Sequence, residues 1–515
     1  MWVITYFCFL PSNLYLKYYF LILHNIMHSN KTNQSIKNCD TCLDKTSNQN
    51  CDTCSDKANN LIQNCNMLMD EIPEKLKNLE YAIYPCNPLY NNVRFIYNKL
   101  WNYFPNAIFY PRNICEIKYI LKYILKNNLI FTIRAGGHAY EAASLNDYII
   151  DVSKLSKIAI NKKKKIVYME CGVKLGKLLD ELKKCNLICS TGESRDVGCG
   201  LYLQGGKGYV SKLLMMSCDN ILELEIMNYE GKILKANSKK NPDLFWALKG
   251  AGANNFGIVL SFKIKAYDDL YMRLTTLKWV WNSEKIKELF QLYFTWITST
   301  PINISTDLII SYSNGTAYVS IMFFKFTKNC SKDFKEIENF VNYENPTITK
   351  CSGYYSQTGD CWSSSENGYN NVFSKLKSTM VFEPVNDDFI NILIQSIEEL
   401  LGEKKNITYK YNFTELGGNV KNGNSSYFPK TALLALTIPT TWSDPKLTSY
   451  AELMIKKYYE QIIQFTTSPY VFPNMIDYDL EDYMDAYYGS NADELRRIKT
   501  KFDPENKFNW PQSIR

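Results

Sequence analysis

The chain has 515 residues, of which 46% are apolar and 22% charged, a composition that supports a large globular core and excludes disorder along its whole length. Its formal net charge of +7 is spread over lysine-rich stretches such as residues 161–166, "NKKKKI". No basic stripe interleaved with aromatics accompanies that charge, so nucleic-acid binding is not expected.

In chain order, residues 1–27 are apolar and aromatic but interrupted by Pro11 and Lys17. No run there reaches the roughly 18–20 apolar residues of a spanning helix, and a basic n-region and a small-residue cleavage site are both missing. A signal-like segment or a membrane tether is left open, and with it a secreted or membrane-associated location. Residues 30–70 are polar and Asn-rich, and a 12-residue repeat places Cys39, Cys42, Cys51 and Cys54 as two CxxC pairs. The 8 residues between the pairs are fewer than the roughly 15–20 of a zinc ribbon. Residues 1–70 are therefore read as a leader and a low-complexity extension without metal, a zinc site at the two CxxC pairs being the alternative left open.

Folded-domain punctuation begins at about residue 71. Residues 113–129 carry apolar side chains at helical spacing, and 131–134 form a short β-branched run that ends in glycines. Residues 174–186 read as a helix and 220–234 as a hairpin turning at Glu230–Gly231. Strands and helices mix without a regular βαβ rhythm, which predicts an α+β domain. From 270 to 465, alternating segments such as "MRLTTLKWVW" separated by helical ones such as "DFINILIQSIEELLG" predict a second domain, an antiparallel sheet covered by helices. Cys351 and Cys361 are spaced for a local disulfide, and 492–515 reads as an amphipathic helix with an aromatic tail.

Three glycine clusters mark the first domain: residues 134–138, 192–208 and 250–257. Glycines let successive backbone N–H groups converge on an anion, and pyrophosphate is the natural occupant. A P-loop is excluded, because Leu201 stands where its first glycine belongs and Gly208 where Ser or Thr would bind magnesium. No GxGxxG opens a βαβ unit, so a Rossmann fold is also unexpected.

Four segments in order carry a family resemblance: "FTIRAGGHAYEAAS" from 131, "VGCGLYLQGGKG" from 197, "NPDLFWALKGAGANNFGIV" from 241, and "YYGSN" with "KFDPENKFNWPQSI" after 486. The chain resembles the berberine-bridge-enzyme-like FAD-linked oxidases, flavoproteins of the vanillyl-alcohol-oxidase (PCMH) type. The resemblance implies a two-subdomain PCMH-type FAD-binding domain at 71–268, a substrate-binding domain at 269–467, and a segment 468–515 that returns to the FAD domain. It implies an oxidase that takes hydride from an alcohol or hemiacetal carbon of a small molecule, a sugar being one candidate, with reoxidation by oxygen. The alternative is a flavin-binding protein without turnover, in a structural or binding role.

By the same resemblance, His138 bonds covalently to the flavin 8α-methyl, chemistry that suits a neutral imidazole nucleophile. Arg134, Ala135, Gly136, Gly137, Ala139, Tyr140, Ser194, Val197, Gly198, Gly200, Gly205, Gly208, Gly257, Ile258, Val259 and Asn506 match positions around the cofactor. Ser194 stands where many members have a second, cysteinyl linkage, so one covalent bond is expected and not two, with Cys199 a candidate only if the loop is shifted. Gln204 and Lys207 interrupt the glycine run, with pairing to a phosphate the alternative role for Lys207. The family's tyrosine base is replaced by Met475, and Tyr478 and Tyr488, with Tyr470 nearby, are the expected substitutes.

Overall fold

The computed structural model describes residues 69–330, 334–363, 372–466 and 468–515. The leader and both CxxC pairs lie outside the described residues. The chain divides into two units, Met1–Pro73 and Glu74–Arg515, and everything below belongs to the second.

Its first layer is a small sheet of β1 (Ala82–Ile83), β2 (Ala107–Phe109), β3 (Phe131–Arg134) and β4 (Tyr148–Asp151), ordered β1-β2-β4-β3. β2 and β3 both run parallel to β4, which requires a crossover. Helix α1 (Ile114–Lys126) supplies it: Asn113 caps its first turn by accepting from the Glu116 N–H, and Ile117, Ile120, Leu121 and Ile124 form its buried stripe.

A second sheet contains β5 (Ile158–Asn161) and β6 (Ile166–Glu170). After helix α2 (Leu175–Cys185) and the short strand β7 (Leu187–Ile188) come β8 (Ile221–Met227) and β9 (Ile233–Asn237), then helix α3 (Pro242–Ala251) and β10 (Ile258–Lys265). The order is β5-β6-β10-β8-β9, antiparallel throughout. The expected hairpin is β8–β9, with Gly231 at φ 73° in its turn. β11 (Tyr267–Asp268) pairs with β7.

The third sheet has seven antiparallel strands: β12 (Tyr271–Val280), β13 (Ile304–Ser313), β14 (Thr316–Thr327), β15 (Thr347–Tyr354), β16 (Phe373–Val381), β17 (Ile407–Glu415) and β18 (Leu434–Trp442), ordered β15-β12-β14-β13-β17-β18-β16. Helices α4 (Ser283–Trp296), α5 (Asp387–Glu403) and α6 (Thr448–Ile463) cover one face. Period-two alternation decides which side chains meet them. Leu308, Ile310, Tyr312, Tyr409, Tyr411 and Phe413 pack with Phe290, Phe294, Leu393 and Tyr458 in the core, each such burial contributing about 1.5–3 kcal/mol. The alternate residues of the same strands, Asp307, Ile309, Lys410, Asn412 and Thr414, face a cavity instead. The Cys351–Cys361 disulfide is formed.

After β18 and α6 the chain returns to the first part of the fold through helices α7 (Tyr483–Tyr488) and α8 (Ala492–Phe502). Lys499 of α8 is buried and its ammonium donates to the carbonyls of Asn255 (2.6 Å) and Phe508 (2.7 Å) while pairing with Asp503 (2.7 Å). The Ile514 N–H and the Trp510 indole N–H both donate to Asn255 Oδ1 (3.1 and 3.3 Å). One asparagine in the third glycine cluster thus fixes the end of the chain.

Candidate active site

A cavity of about 680 Å3 lies between the glycine loops and the uncovered face of the seven-stranded sheet, a size ordinary for a small-molecule site. Three loops make one wall: 135–140 after β3, 192–204 after β7, and 252–257 after α3. Asp307, Met322, Lys410, Asn412, Thr414 and Thr437 make the other, Trp362 stands at one side, and Asn474, Met475 and Trp510 of the C-terminal segment complete the lining.

Of the residues expected around a cofactor, Ala135, Gly136, Gly137, His138, Ala139, Tyr140, Ser194, Val197, Gly198, Gly200, Gly257 and Val259 line this cavity. Gly136 and Gly198 bring the first two loops backbone to backbone: a Cβ on Gly136 would stand 2.3 Å from the Gly198 nitrogen. At Gly200 the position of a Cβ has nothing within 4 Å, so that glycine leaves room beside the wall. Gly257 takes φ 149°, a conformation that side chains disfavour.

The other expected contacts are corrected by their packing. Arg134 pairs inside the fold with Asp151 (2.6 Å) and donates to the Tyr110 hydroxyl (3.1 Å). Gly205 sits against the Tyr427 ring, and Gly208 is pressed onto the Thr191 carbonyl. Ile258 is buried in β10, pointing opposite to Val259. Asn506 turns the chain at φ 48° outside the cavity lining. Lys207 does line the cavity, but its ammonium is held by Glu193 (3.1 Å) and Asp307 (3.2 Å), so two carboxylates occupy the cation that a phosphate would pair with.

His138 follows the two glycines into the cavity. Its Nε2–H donates to Asp196 Oδ2 at 2.9 Å, and its ring lies 5.1 Å from that of Tyr97. Burial holds the imidazole below its ordinary pKa, with Asp196 opposing that shift, so the ring is neutral at pH 7 and carries its proton on Nε2. Nδ1 is then the nitrogen with a lone pair to give. Ser194 also lines the cavity, whereas the Cys199 thiol donates to the Cys171 carbonyl (2.6 Å) and is pushed up to about 12 by burial. A thiol so placed is inert as a nucleophile at neutral pH.

The expected bases do not reach the cavity wall. Tyr478 packs edge-on to Trp101 (5.8 Å) and beside Trp510 (6.4 Å). Tyr488 is buried on α7, hydrogen-bonded to Asn255, and burial drives its phenol upward, away from the tyrosinate a base requires. Tyr470 packs on Phe428 at 4.7 Å. Met475, at the family's tyrosine position, does line the cavity.

Asp307, Lys410 and Asn412 of the cavity wall escaped the reading of the sequence, as did Asp196, the partner of His138. Asp196 lies in the second glycine cluster, two residues from Ser194, and Asp307 is a lone carboxylate in a strand of apolar and hydroxyl residues, "ISTDLIISYS"; both patterns were visible signals. Asn474 was also missed: its Oδ1 accepts from the Gly206 N–H (2.8 Å) and its Nδ2 donates to the Leu201 carbonyl (3.2 Å), tying the C-terminal segment to the second glycine loop. Beside the cavity, a buried ion cluster joins three parts of the fold. Lys375 pairs with Glu141 (2.8 Å) and Asp479 (3.2 Å), and Lys377 with Asp477 (2.8 Å). Among the described residues, no three His, Cys, Asp or Glu side chains converge as a metal site, and no helix is long and apolar enough to cross a membrane.

Comparison with known proteins bears on this geometry. The model of a FAD binding domain matches residues 105–237, and the berberine and berberine-like model matches 471–515. The FAD-linked oxidoreductase YgaK of Bacillus subtilis (strain 168) is 26% identical over 450 residues, 86% of this chain and 98% of its own. The carbohydrate oxidase of Microdochium nivale is 24% identical over 462 residues, 80% of this chain and 88% of its own. The structure of Physcomitrella patens BBE-like 1 superposes with a TM-score of 0.75 at 24% identity, covering 84% of this chain and 96% of that one. With both family segments in order, relatives matched along most of their length and the fold shared, the chain is a berberine-bridge-enzyme-like FAD-linked oxidoreductase.

Proposed function

We propose that the chain oxidises an alcohol or hemiacetal carbon of a saccharide, with FAD attached covalently through His138 alone and molecular oxygen as the final acceptor. The observation that carries the substrate class is the sheet wall. Asp307, Lys410, Asn412, Thr414 and Thr437 give it donors and acceptors in rows, and the buried Asn412 Oδ1 has no hydrogen-bond partner among the described residues. A buried acceptor without a donor costs about 1–3 kcal/mol, which a hydroxyl-rich ligand offsets. A carbohydrate oxidase among the relatives supports the same class.

The residues present fit FAD. Gly200 leaves open space at the loop wall, the buried Ser144 hydroxyl that lines the cavity lacks a partner, and His138 is neutral with Nδ1 as its nucleophilic nitrogen. Bound FAD supplies the two-electron acceptor for the hydride that leaves the substrate carbon. The chain's own residues seat the substrate against the sheet, fix its hydroxyls, and exclude water with Trp362 and Met475 at the cavity wall. Ser194, a hydroxyl where a thiolate is needed, supports a single linkage.

The test is to incubate the full-length, FAD-loaded protein in air with cellobiose, maltose and chitobiose and to measure hydrogen peroxide. Peroxide with at least one sugar supports the reading; none with any of the three overturns the saccharide assignment. Met475 favours a second reading, a flavin-binding protein without turnover, and peroxide release with any sugar or primary alcohol removes it.

A further inference from the structure

We propose that Asp307 is the proton acceptor for the substrate hydroxyl, set in place by Lys207 and Glu193, and that it does the work of the tyrosine replaced by Met475. This inference rests on the proposed oxidation and adds its base.

The geometry is specific. β13 carries Asp307 on its cavity face, and the second glycine loop carries Glu193 and Lys207 on the opposite wall. Lys207 bridges them, 3.1 Å from Glu193 and 3.2 Å from Asp307. All three line the cavity, and the side chains of Lys207 and Asp307 are 6% and 9% exposed.

Charge counting gives the function. One ammonium lies between two carboxylates, so one negative charge is left over in a site largely withdrawn from water. Burial and the like charge of Glu193 raise the Asp307 carboxyl above the ordinary carboxylate range, against the opposing charge of Lys207. A carboxylate so poised is ionised for much of the time at neutral pH and takes up a proton readily, the condition for an efficient general base. The surrounding groups agree. The Thr414 hydroxyl of β17 also hydrogen-bonds Asp307, Lys410 of β17 lines the same cavity, and Tyr209 hydrogen-bonds Glu193 and lies under Lys207 at 4.8 Å. From the covered side of the sheet, Glu415 and the Tyr293 phenol approach, with Glu415 paired to Lys212.

In the proposed step the substrate O–H bond breaks and its proton passes to the Asp307 carboxylate. The electron pair left on oxygen forms the C=O bond as the C–H bond on the same carbon breaks, and bound flavin would supply the two-electron acceptor for the departing hydride. Tyr478 and Tyr488, packed away from the cavity lining, have no part in it.

The experiment uses the full-length FAD-loaded protein and its Asp307→Asn and Glu193→Gln variants. Infrared difference spectra between pH 6 and pH 8, with no sugar present, read the carboxyl directly. A protonated-carboxyl band that titrates in this window in the parent protein and is missing in Asp307→Asn supports the proposal; the same bands in both overturn it. Kinetics with cellobiose, maltose and chitobiose give the second arm. Asp307→Asn is expected to lower kcat by about 10²–10⁴-fold, the span of general-base contributions, with KM changed little, and a loss under tenfold overturns the assignment. Glu193→Gln removes the like charge, so the acidic limb of the kcat profile moves to lower pH; a limb that stays in place, or moves upward, overturns the coupling. Should Asp307→Asn fail to fold, as judged by loss of bound flavin, Glu193→Gln decides by its infrared band and its limb. If no sugar is oxidised, the saccharide reading falls and the infrared titration still decides the role of Asp307 as a poised carboxyl.

Discussion

On the proposed attachment of flavin to His138, Asp196 sets which nitrogen can attack, and its removal has a calculable effect on the rate of attachment. The pair is 2.9 Å apart, with the two side chains only 18% and 16% exposed, so solvent screens it weakly. A hydrogen bond to a charged group contributes about 1.5–3 kcal/mol. If Asp196 gives that much as the imidazole becomes cationic on bond formation, Asp196→Ala slows attachment about 10- to 100-fold at 1.36 kcal/mol per decade. Asp196→Asn, which keeps an acceptor but not the charge, falls between. Asp196 also raises the His138 pKa against the larger effect of burial. The variant's imidazole therefore titrates lower, and the acidic limb of the attachment rate moves to lower pH even as its plateau drops. The assay mixes flavin-free protein with FAD, quenches samples in acid, and follows flavin fluorescence that stays with the polypeptide. Attachment in Asp196→Ala within twofold of the parent rate, or a limb moved to higher pH, refutes the role given to this carboxylate.

Two further outcomes follow from packing. Gly136→Ala puts a methyl 2.3 Å from the Gly198 nitrogen, a backbone contact that cannot give way as a side chain would, and a cost of about 1–3 kcal/mol is expected, with the loops spread and flavin uptake reduced; unchanged thermal stability and uptake contradict it. Lys375→Met leaves Glu141, 1% exposed, without its cation, and breaking such a buried pair costs about 3–5 kcal/mol. Urea unfolding should show that loss, and Lys375→Met with Glu141→Leu should recover part of it; a single variant within 1 kcal/mol of the parent rules the cluster out as a clasp between the domains.

The features legible in the sequence were local ones. The helical stripe of α1 and the alternation of β12 and β18 act through neighbours along the chain, and the ordered glycine motifs pointed to His138. What escaped was assembled from distant segments. Lys207 looked free to meet a phosphate because Asp307, 100 residues away, reaches it only once the sheet has formed. Tyr478 and Tyr488 stood close to Met475 in sequence, but the α7 turn and the Trp101 and Trp510 rings direct them into packing. The ion cluster spans separations of 234 residues between Glu141 and Lys375 and 100 between Lys377 and Asp477, beyond anything that spacing conveys.

The most direct test of the account is where the flavin is bound. The full-length holoprotein is denatured in acid, digested, and its peptides are separated by flavin fluorescence, alongside His138→Ala. The account predicts one fluorescent peptide, containing His138, no fluorescence on the peptides of Ser194 or Cys199, and none retained by the His138→Ala chain. Flavin released wholly from the parent protein, or retained by His138→Ala, would contradict it.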